Sequence, residues 1–253
     1  MVDVGNTNIT LGVYEGDDLV GAWRAATDHE RMPDEYGLLF VGLLERGGYG
    51  PKDIDGSALA SVVPPLTPGI LQAMETYLGT RPLVVDAGVK TGVRIRYEDP
   101  KAVGADRVAD AAAVQTRFGG PACVVDFGTA TTFDAISREG DYLGGAIAPG
   151  IRIAADALFQ RTAKLTRVEL VAPPAAVGRN TVHAMQSGLV FGYVGLVEGV
   201  VARFRAELGE DMKVIGTGGL ASIIARETDV IQYVEPWLTL EGLRLIWLLN
   251  QNE

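Results

Sequence analysis

Two short stretches pair an aspartate with a glycine in a way that suits phosphate chemistry. They are Asp3-Val4-Gly5-Asn6-Thr7-Asn8 near the start and Asp126-Phe127-Gly128-Thr129-Ala130-Thr131-Thr132 in the middle. Each falls at a strand end, on the turn of a hairpin. A glycine there lets the backbone come close to a phosphate with no side chain between. The small hydroxyl and amide residues after it donate hydrogen bonds to phosphate oxygens, and the aspartate suits Mg²⁺ or its water shell. A further glycine-rich turn, Gly216-Thr217-Gly218-Gly219-Leu220, follows another short strand-like run. In Gly104-Ala105-Asp106-Arg107 a carboxylate adjoins a guanidinium. On its residue type alone, Asp106 reads as an acidic group favoured by a helix N-terminus. Arg107 is planar and suits a carboxylate or phosphate ligand.

The elements that must position these groups occur twice. Val2-Asp3-Val4-Gly5-Asn6-Thr7 resembles Val125-Asp126-Phe127-Gly128-Thr129-Ala130 at an offset of 123 residues, and the same offset pairs Asp18 with Asp141 and Gly21 with Gly144 without a gap. Each copy reads as strand, tight turn, strand, acidic turn, strand. In the second copy the strands are expected at about 122–126, 131–137 and 142–148. A helix follows each copy. The first spans about 33–46, opened by Pro33, and the second about 150–164, with Ile151, Ala154, Ala155, Leu158 and Phe159 on one face. Further helices are expected at 104–118, 181–208 and 239–250, and strands at Ser57–Val63, Leu83–Val85 and Lys213–Ile215. This is an α/β chain of two similar lobes, 1–118 and 119–253, with mixed sheets flanked by helices. Two lobes that each open with Asp-x-Gly suggest an interlobe cleft for a nucleoside triphosphate.

Bulk properties exclude several other classes. Glycine accounts for 32 of 253 residues, well above the usual ~7%, without any collagen-like period. A net charge of −10 with no basic stripe argues against nucleic acid. The one cysteine, Cys123, lies in an apolar run and reads as a buried structural thiol. With two histidines, a zinc cluster is not expected. No basic leader precedes an apolar stretch, so no signal peptide is expected. The most membrane-like stretch, 186–198, is too short to span a bilayer. Its Gly188, Gly192 and Gly195 suggest a helix packed tightly against other protein. The chain is expected to be cytoplasmic, with no membrane partner.

The Asp3–Asn8 stretch resembles the first phosphate motif of the actin, Hsp70 and sugar-kinase superfamily, and the Asp126–Thr132 stretch resembles its second. Gly216-Thr217-Gly218-Gly219-Leu220 resembles the adenosine-side motif. Gly104-Ala105-Asp106-Arg107, then the second phosphate motif, then Gly144-Gly145-Ala146-Ile147-Ala148-Pro149-Gly150, is similar to the series that marks type III pantothenate kinases. Gly178-Arg179-Asn180-Thr181 also matches that family, and the resemblance covers essentially the whole chain. One departure is that only Met1-Val2 precede the first aspartate, where family members carry several apolar residues.

The resemblance implies duplicated ribonuclease-H-like, actin-like ATPase lobes. It implies transfer of the γ-phosphoryl group of ATP to pantothenate, the first step of coenzyme A synthesis. A homodimer with the pantothenate site at the subunit interface, Mg²⁺ with ATP, and a monovalent cation, K⁺ or NH₄⁺, are implied as well. Asp106 becomes the general base for the substrate hydroxyl, and Asp110, one turn on, is expected to be structural. Asp3, Val4, Gly5, Asn6, Thr7, Asn8, Ile9, Thr10 and Thr129 become the ATP-binding set, with Asp3 also near Mg²⁺. Asp126 becomes the monovalent-cation ligand. Tyr97, Gly104, Ala105, Asp106, Arg107 and Thr181 become the pantothenate set. The residue-level alternatives are a loop-packing role for Tyr97 and a helix N-cap role for Thr181. A nucleotide-binding regulatory factor without kinase activity is the competing function. The presence of Asp3, Asp106 and Asp126 speaks against it.

Overall fold

The computed structural model describes residues 1–251. Among these residues, ten strands form two five-stranded mixed sheets of the same plan. In the first, β1 (Val2–Val4) runs antiparallel to β2 (Asn8–Glu15), which turns back into β3 (Asp18–Ala26). On its other side β1 lies parallel to β4 (Ala58–Ser61), which lies parallel to β5 (Leu83–Val84). The second sheet repeats this with β6 (Ala122–Phe127), β7 (Ala130–Ile136), β8 (Tyr142–Pro149), β9 (Lys213–Thr217) and β10 (Tyr233–Val234). Strand order is β3-β2-β1-β4-β5 in one and β8-β7-β6-β9-β10 in the other. Duplicated lobes of actin-like plan are therefore present.

The gapless offset needs correcting. Asp3 corresponds to Asp126 at 123, but Ile9, opposite Val4, corresponds to Thr131, opposite Phe127, at 122. Leu19, opposite Tyr14, corresponds to Tyr142, opposite Ile136, back at 123. The first copy has one more residue in its first turn and one fewer in its second. Hairpin tips tolerate such changes because they leave the ladder register intact.

The helices form where apolar spacing and end signals agree. Helix α1 (Pro33–Arg46) opens with proline in its first turn, has Asp34 and Glu35 there, and closes with Arg46. The Glu35 carboxylate accepts the Met32 N–H at 2.8 Å. Its Tyr36, Phe40 and Leu44 pack with Val2, Val4, Ile9 and Leu11 and with Ile70 of α2 (Thr67–Ala73). Burying a side chain the size of Phe40 stabilises by about 1.5–3 kcal/mol. In the second core, Val125, Phe127 and Phe133 meet Val190, Val194, Val197 and Val201 of α5 (Thr181–Leu208) and Ile224 of α6 (Ala221–Ala225). Two more helices matter for the site, α3 (Ala105–Arg117) and α4 (Ile151–Arg161).

The compact units interleave along the chain rather than follow the halves 1–118 and 119–253. One comprises Met1–Val93, Glu98–Ala113 and the segment from Thr239; the other comprises Arg94–Tyr97 and Val114–Leu238. The C-terminal helix α7 (Leu238–Leu249) belongs with the first sheet because its partners are there. A Cβ on Gly12 of β2 would lie 2.7 Å from Leu240 Cδ1, and one on Gly242 would collide with the Ala109 carbonyl. Arg244 pairs with Glu241 at 2.8 Å and Asp17 at 2.7 Å.

Two helix expectations also change. Helix α4 ends at Arg161 rather than about 164, and of its expected apolar face only Ile151 is buried. Leu158 and Phe159 are exposed. Helix α5 runs 28 residues, so by length and composition it is apolar enough to cross a bilayer, contrary to the shorter stretch read from sequence. Eight of its residues are buried, as in a core helix.

Candidate functional site

In the first unit the phosphate-type hairpin is built on β1 and β2. Val4 and Ile9 are core residues at 0% and 1% exposure, so they anchor the hairpin rather than present a surface. Asp3 alternates to the other side and is half-buried, while Asn6, Thr7 and Asn8 stand exposed. The turn closes through the Gly5 N–H, which donates to the Asn8 carbonyl at 3.0 Å. A Cβ on Gly5 would press on that carbonyl at 3.1 Å. Thr27, not anticipated from the sequence, ties the turn down: its hydroxyl donates to the Gly5 carbonyl at 2.6 Å and its N–H to the Thr7 carbonyl at 3.0 Å. The result is a fixed loop with amide and hydroxyl donors outward.

The Gly104–Arg107 segment belongs to the same unit and meets the same sheet edge. The Val62 N–H, just past β4, donates to the Val4 carbonyl at 3.0 Å. A Cβ on Gly104 would lie 3.2 Å from Val62 Cγ1 and collide with the Asp106 carboxylate. Gly104 and Ala105 thus bring the start of α3 to the carboxyl ends of the parallel strands β1 and β4, where ligands gather in open α/β sheets. Asp106 Oδ1 accepts the Arg107 N–H at 2.8 Å, and both residues are half-buried. Asp110 is 2% exposed and accepts the Thr239 hydroxyl at 2.8 Å, a structural arrangement.

In the second unit Asp126 stands one residue from the end of β6, opposite Thr132 on β7 and Thr217 on β9. Two glycine turns close on its carboxylate. A Cβ on Gly128 would sit 3.2 Å from Oδ2, and one on Gly218, whose φ is +86°, would collide with Oδ1. Gly150, preceding α4, is equally confined: a Cβ there would collide with the Thr129 carbonyl and lie 2.8 Å from that of Gly128. Three glycines therefore keep space around one carboxylate and its carbonyl neighbours. That is a cradle of hard oxygen donors, suited to an alkali cation or to the edge of a phosphate. Thr129 is exposed beside it. Tyr193 of α5 anchors the adjoining strand end by donating to the Pro149 carbonyl at 2.7 Å, and burial pushes its hydroxyl pKa up.

The pantothenate-type residues of this unit lie elsewhere. Tyr97 is partly exposed and lies over Gly144 of β8, where a Cβ would meet the ring at 3.2 Å. Thr181 is exposed at the start of α5. It is not the N-cap: Asn180 is, its side chain accepting the His183 N–H at 2.9 Å. The Thr181 side chain is thereby left to another role. Thr181, Arg179 and Arg161 line a groove of about 1010 Å³ between α4 and α5. Along α5, a Cβ on Gly188, Gly192 or Gly195 would meet nothing within 4 Å, so these glycines present a smooth uncovered stripe. Sequence reasoning missed Asp134 and Tyr142, both fully buried. An aspartate inside the strand Ala130–Ile136 was the available signal.

Fit to the implied ions is favourable on these observations. Mg²⁺ normally takes one or two carboxylates plus substrate phosphates, and Asp3 beside a donor-rich turn supplies that. Among the described residues no group of three or more His, Cys, Asp or Glu side chains is placed to hold a metal. A protein-only cage is thus not what these residues form.

Comparison with known proteins identifies the family. Residues 1–203 match the family model described as type III pantothenate kinase. A type III pantothenate kinase of Roseiflexus sp. (strain RS-1) is 53% identical over 251 residues, covering 99% of this chain and 98% of the relative. That of Moorella thermoacetica is 54% identical over 249 residues, covering 98% of each. Among solved structures, a candidate Baf family transcriptional activator from Campylobacter jejuni aligns with a TM-score of 0.61 at 21% identity, covering 100% of this chain and 98% of that one. The ethanolamine utilization protein EutJ from Carboxydothermus hydrogenoformans aligns at 0.57 with 13% identity, covering 97% and 88%. At those identities the structural neighbours speak for the fold alone.

Proposed function

Because this chain belongs to the type III pantothenate kinase family, we propose a division of labour among its residues for moving the γ-phosphoryl group of ATP onto pantothenate. The chain is a pantothenate kinase, and the reaction opens coenzyme A synthesis. What supports the residue assignment most is the placement of Asp106. A carboxylate at a helix start, backed by two small residues, stands at the strand edge that also carries the phosphate-type hairpin of its unit.

Asp106 accepts the proton of the pantothenate hydroxyl as that oxygen attacks phosphorus. Phosphoryl transfer asks chiefly for positioning and charge stabilisation, so a single aimed carboxylate suffices. Arg107 orients the substrate carboxylate or the transferred group, and Gly104 and Ala105 keep that approach clear. The backbone of Asp3–Thr10, with Asn6, Thr7 and Asn8 side chains, holds ATP phosphates, as does Thr129. Asp3 holds Mg²⁺, which when bound neutralises the charge on the phosphate oxygens. Asp126, in its glycine cradle, holds K⁺ or NH₄⁺. Tyr97 and Thr181 contact pantothenate.

The working form is a homodimer in which Thr181 of one subunit serves the site of the other. The uncovered glycine stripe and the exposed Leu158, which lines one groove with Gly188, support this reading, since large apolar surfaces seldom stay bare. The location that goes with this chemistry is the cytoplasm. A coupled ADP-release assay with Mg²⁺ and K⁺, with and without pantothenate, tests the function. Release that depends on pantothenate is expected. Equal release without it points to a hydrolase, and no release at all to a nucleotide-binding regulator.

A further inference from the structure

Tyr97 is held by residues that lie too deep to touch a substrate. Segment 94–97 docks beside β8 as an added strand. The Tyr142 N–H donates to the Arg94 carbonyl at 2.9 Å, and the Arg96 N–H donates to the Tyr142 carbonyl at 2.8 Å. This is a parallel bridge centred on Ile95. The Arg96 guanidinium pairs with Asp141, one residue earlier. The Tyr97 ring then meets the Tyr142 ring edge-on, with centroids 6.4 Å apart and planes at 65°.

Tyr142 is in turn fixed from beneath. Its hydroxyl donates to Asp134 Oδ1 at 2.8 Å, and the Thr132 hydroxyl donates to Oδ2 at 3.2 Å. Asp134 and Tyr142 are both 0% exposed. A buried carboxylate is costly unless bonded, and an apolar residue of similar size would serve a core at least as well. What the carboxylate adds is direction: it admits one placement of the tyrosine ring. The strand pairing is shaped to the same end. Register slips between Ala135 and Ile136, making a bulge at Leu143, and Gly144 takes φ +127°. Bulges re-aim side chains beside functional sites. The missing Cβ at Gly144 leaves room for the Tyr97 ring, which a methyl group would press at 3.2 and 3.3 Å.

We propose that Asp134 is a positioning residue for the pantothenate site, locking the Tyr142 ring through its hydroxyl and so fixing Tyr97, which rests on that ring. The inference builds on the reading that Tyr97 contacts pantothenate. Its consequence is specific: loosening the pair weakens pantothenate binding and spares both ATP binding and the chemical step.

The test uses the full-length enzyme and the variants Tyr142→Phe, Asp134→Asn, Tyr97→Ala and the double variant Tyr142→Phe/Tyr97→Ala. Tyr142→Phe keeps the ring and removes one oxygen, so it carries the test even if Asp134→Asn fails to fold. It is expected to raise the KM for pantothenate about 3- to 30-fold, with kcat and the KM for ATP within about twofold of wild type, the scale typical of directly coupled residues. In the Tyr97→Ala background the same change is expected to add less than about twofold, because the ring it positions is gone. An unchanged pantothenate KM for Tyr142→Phe overturns the inference, as does an equal effect in both backgrounds or a matching rise in the KM for ATP. If Tyr97→Ala itself leaves the pantothenate KM unchanged, Tyr97 is no substrate contact and the premise fails, whatever Tyr142→Phe does.

Discussion

Replacing Asp106 by asparagine separates a helix-terminal charge from a proton acceptor, because the two are worth different amounts. The carboxylate accepts the Arg107 N–H at 2.8 Å in the first turn of α3. Asparagine keeps an oxygen for that bond, so the folded state loses mainly the charge–dipole attraction, about 0.3–1 kcal/mol. In a chain of this size that lowers Tm by no more than about 4 °C. As general base the same carboxylate is worth ~10²–10⁴ in rate, or about 3–5 kcal/mol of barrier. The measurements are kcat by coupled ADP release at saturating substrates, Tm, and ATP affinity by calorimetry. A fall in kcat of at least about 100-fold with little change in the other two is expected. Asp110→Asn is the control, one turn along the same helix. The Asp110 carboxylate is buried, accepting the Thr239 hydroxyl, so the amide N–H groups that asparagine introduces there should cost about 1–3 kcal/mol of stability and little kcat. A drop of less than about tenfold for Asp106→Asn, or equal drops for both variants, refutes the general-base argument.

Wild-type activity should rise with K⁺ or NH₄⁺ and respond poorly to Na⁺. Gly218→Ala, which sets a methyl group against the Asp126 carboxylate at φ +86°, should abolish that response. Equal wild-type rates in Na⁺ and K⁺ at matched ionic strength would count against Asp126 as the ion's ligand. Gly192→Leu meets open space in the single chain, so it should keep the fold while sedimentation shows monomers; an intact dimer would exclude that face. Mixing the inactive Asp106→Asn and Thr181→Arg variants under subunit exchange should restore activity, up to half of wild type per mixed dimer if the site is shared. No recovery despite exchange shown by mass spectrometry would place both residues in one chain's site. Cys123 is fully buried, and burial pushes its thiol pKa far up. It should ignore a thiol reagent in the native protein and react in denaturant, and fast native labelling would contradict the packing of β6.

The duplication and the long elements were legible because they rest on local signals. The paired Asp-x-Gly turns gave the meanders, helical spacing after Pro33 gave α1, and a long apolar run gave α5, both at the bounds observed. What escaped depends on partners far along the chain. The two-residue β10 exists only because it lies parallel to β9. The one-residue differences between the hairpins cancel by the time Gly144 is reached, so the sequence offset hid them. Asn180 displaced Thr181 as N-cap because either side chain suits that position, and only the backbone path decides. The aspartates at strand ends were visible as chemistry. Asp134 was not, because a carboxylate within a strand shows its purpose only when Tyr142 is seen to reach it.

Helix α7 closes the packing of a sheet whose first strand begins at Val2. On a ribosome, therefore, the first sheet emerges long before its last partner exists. More than 150 residues separate the end of β5 from the start of α7, roughly 8–30 s of synthesis at ~5–20 residues per second. Until α7 is made, Gly12, Gly56 and Ala109 lack the side chains of Leu240 and Trp247 and the backbone at Gly242 that cover them. The second sheet with α5 has all its own strands and helices by then, so it can settle first. A released chain truncated before Leu238 should hence carry an ordered later half and an unfinished earlier one, the reverse of the usual amino-to-carboxyl order.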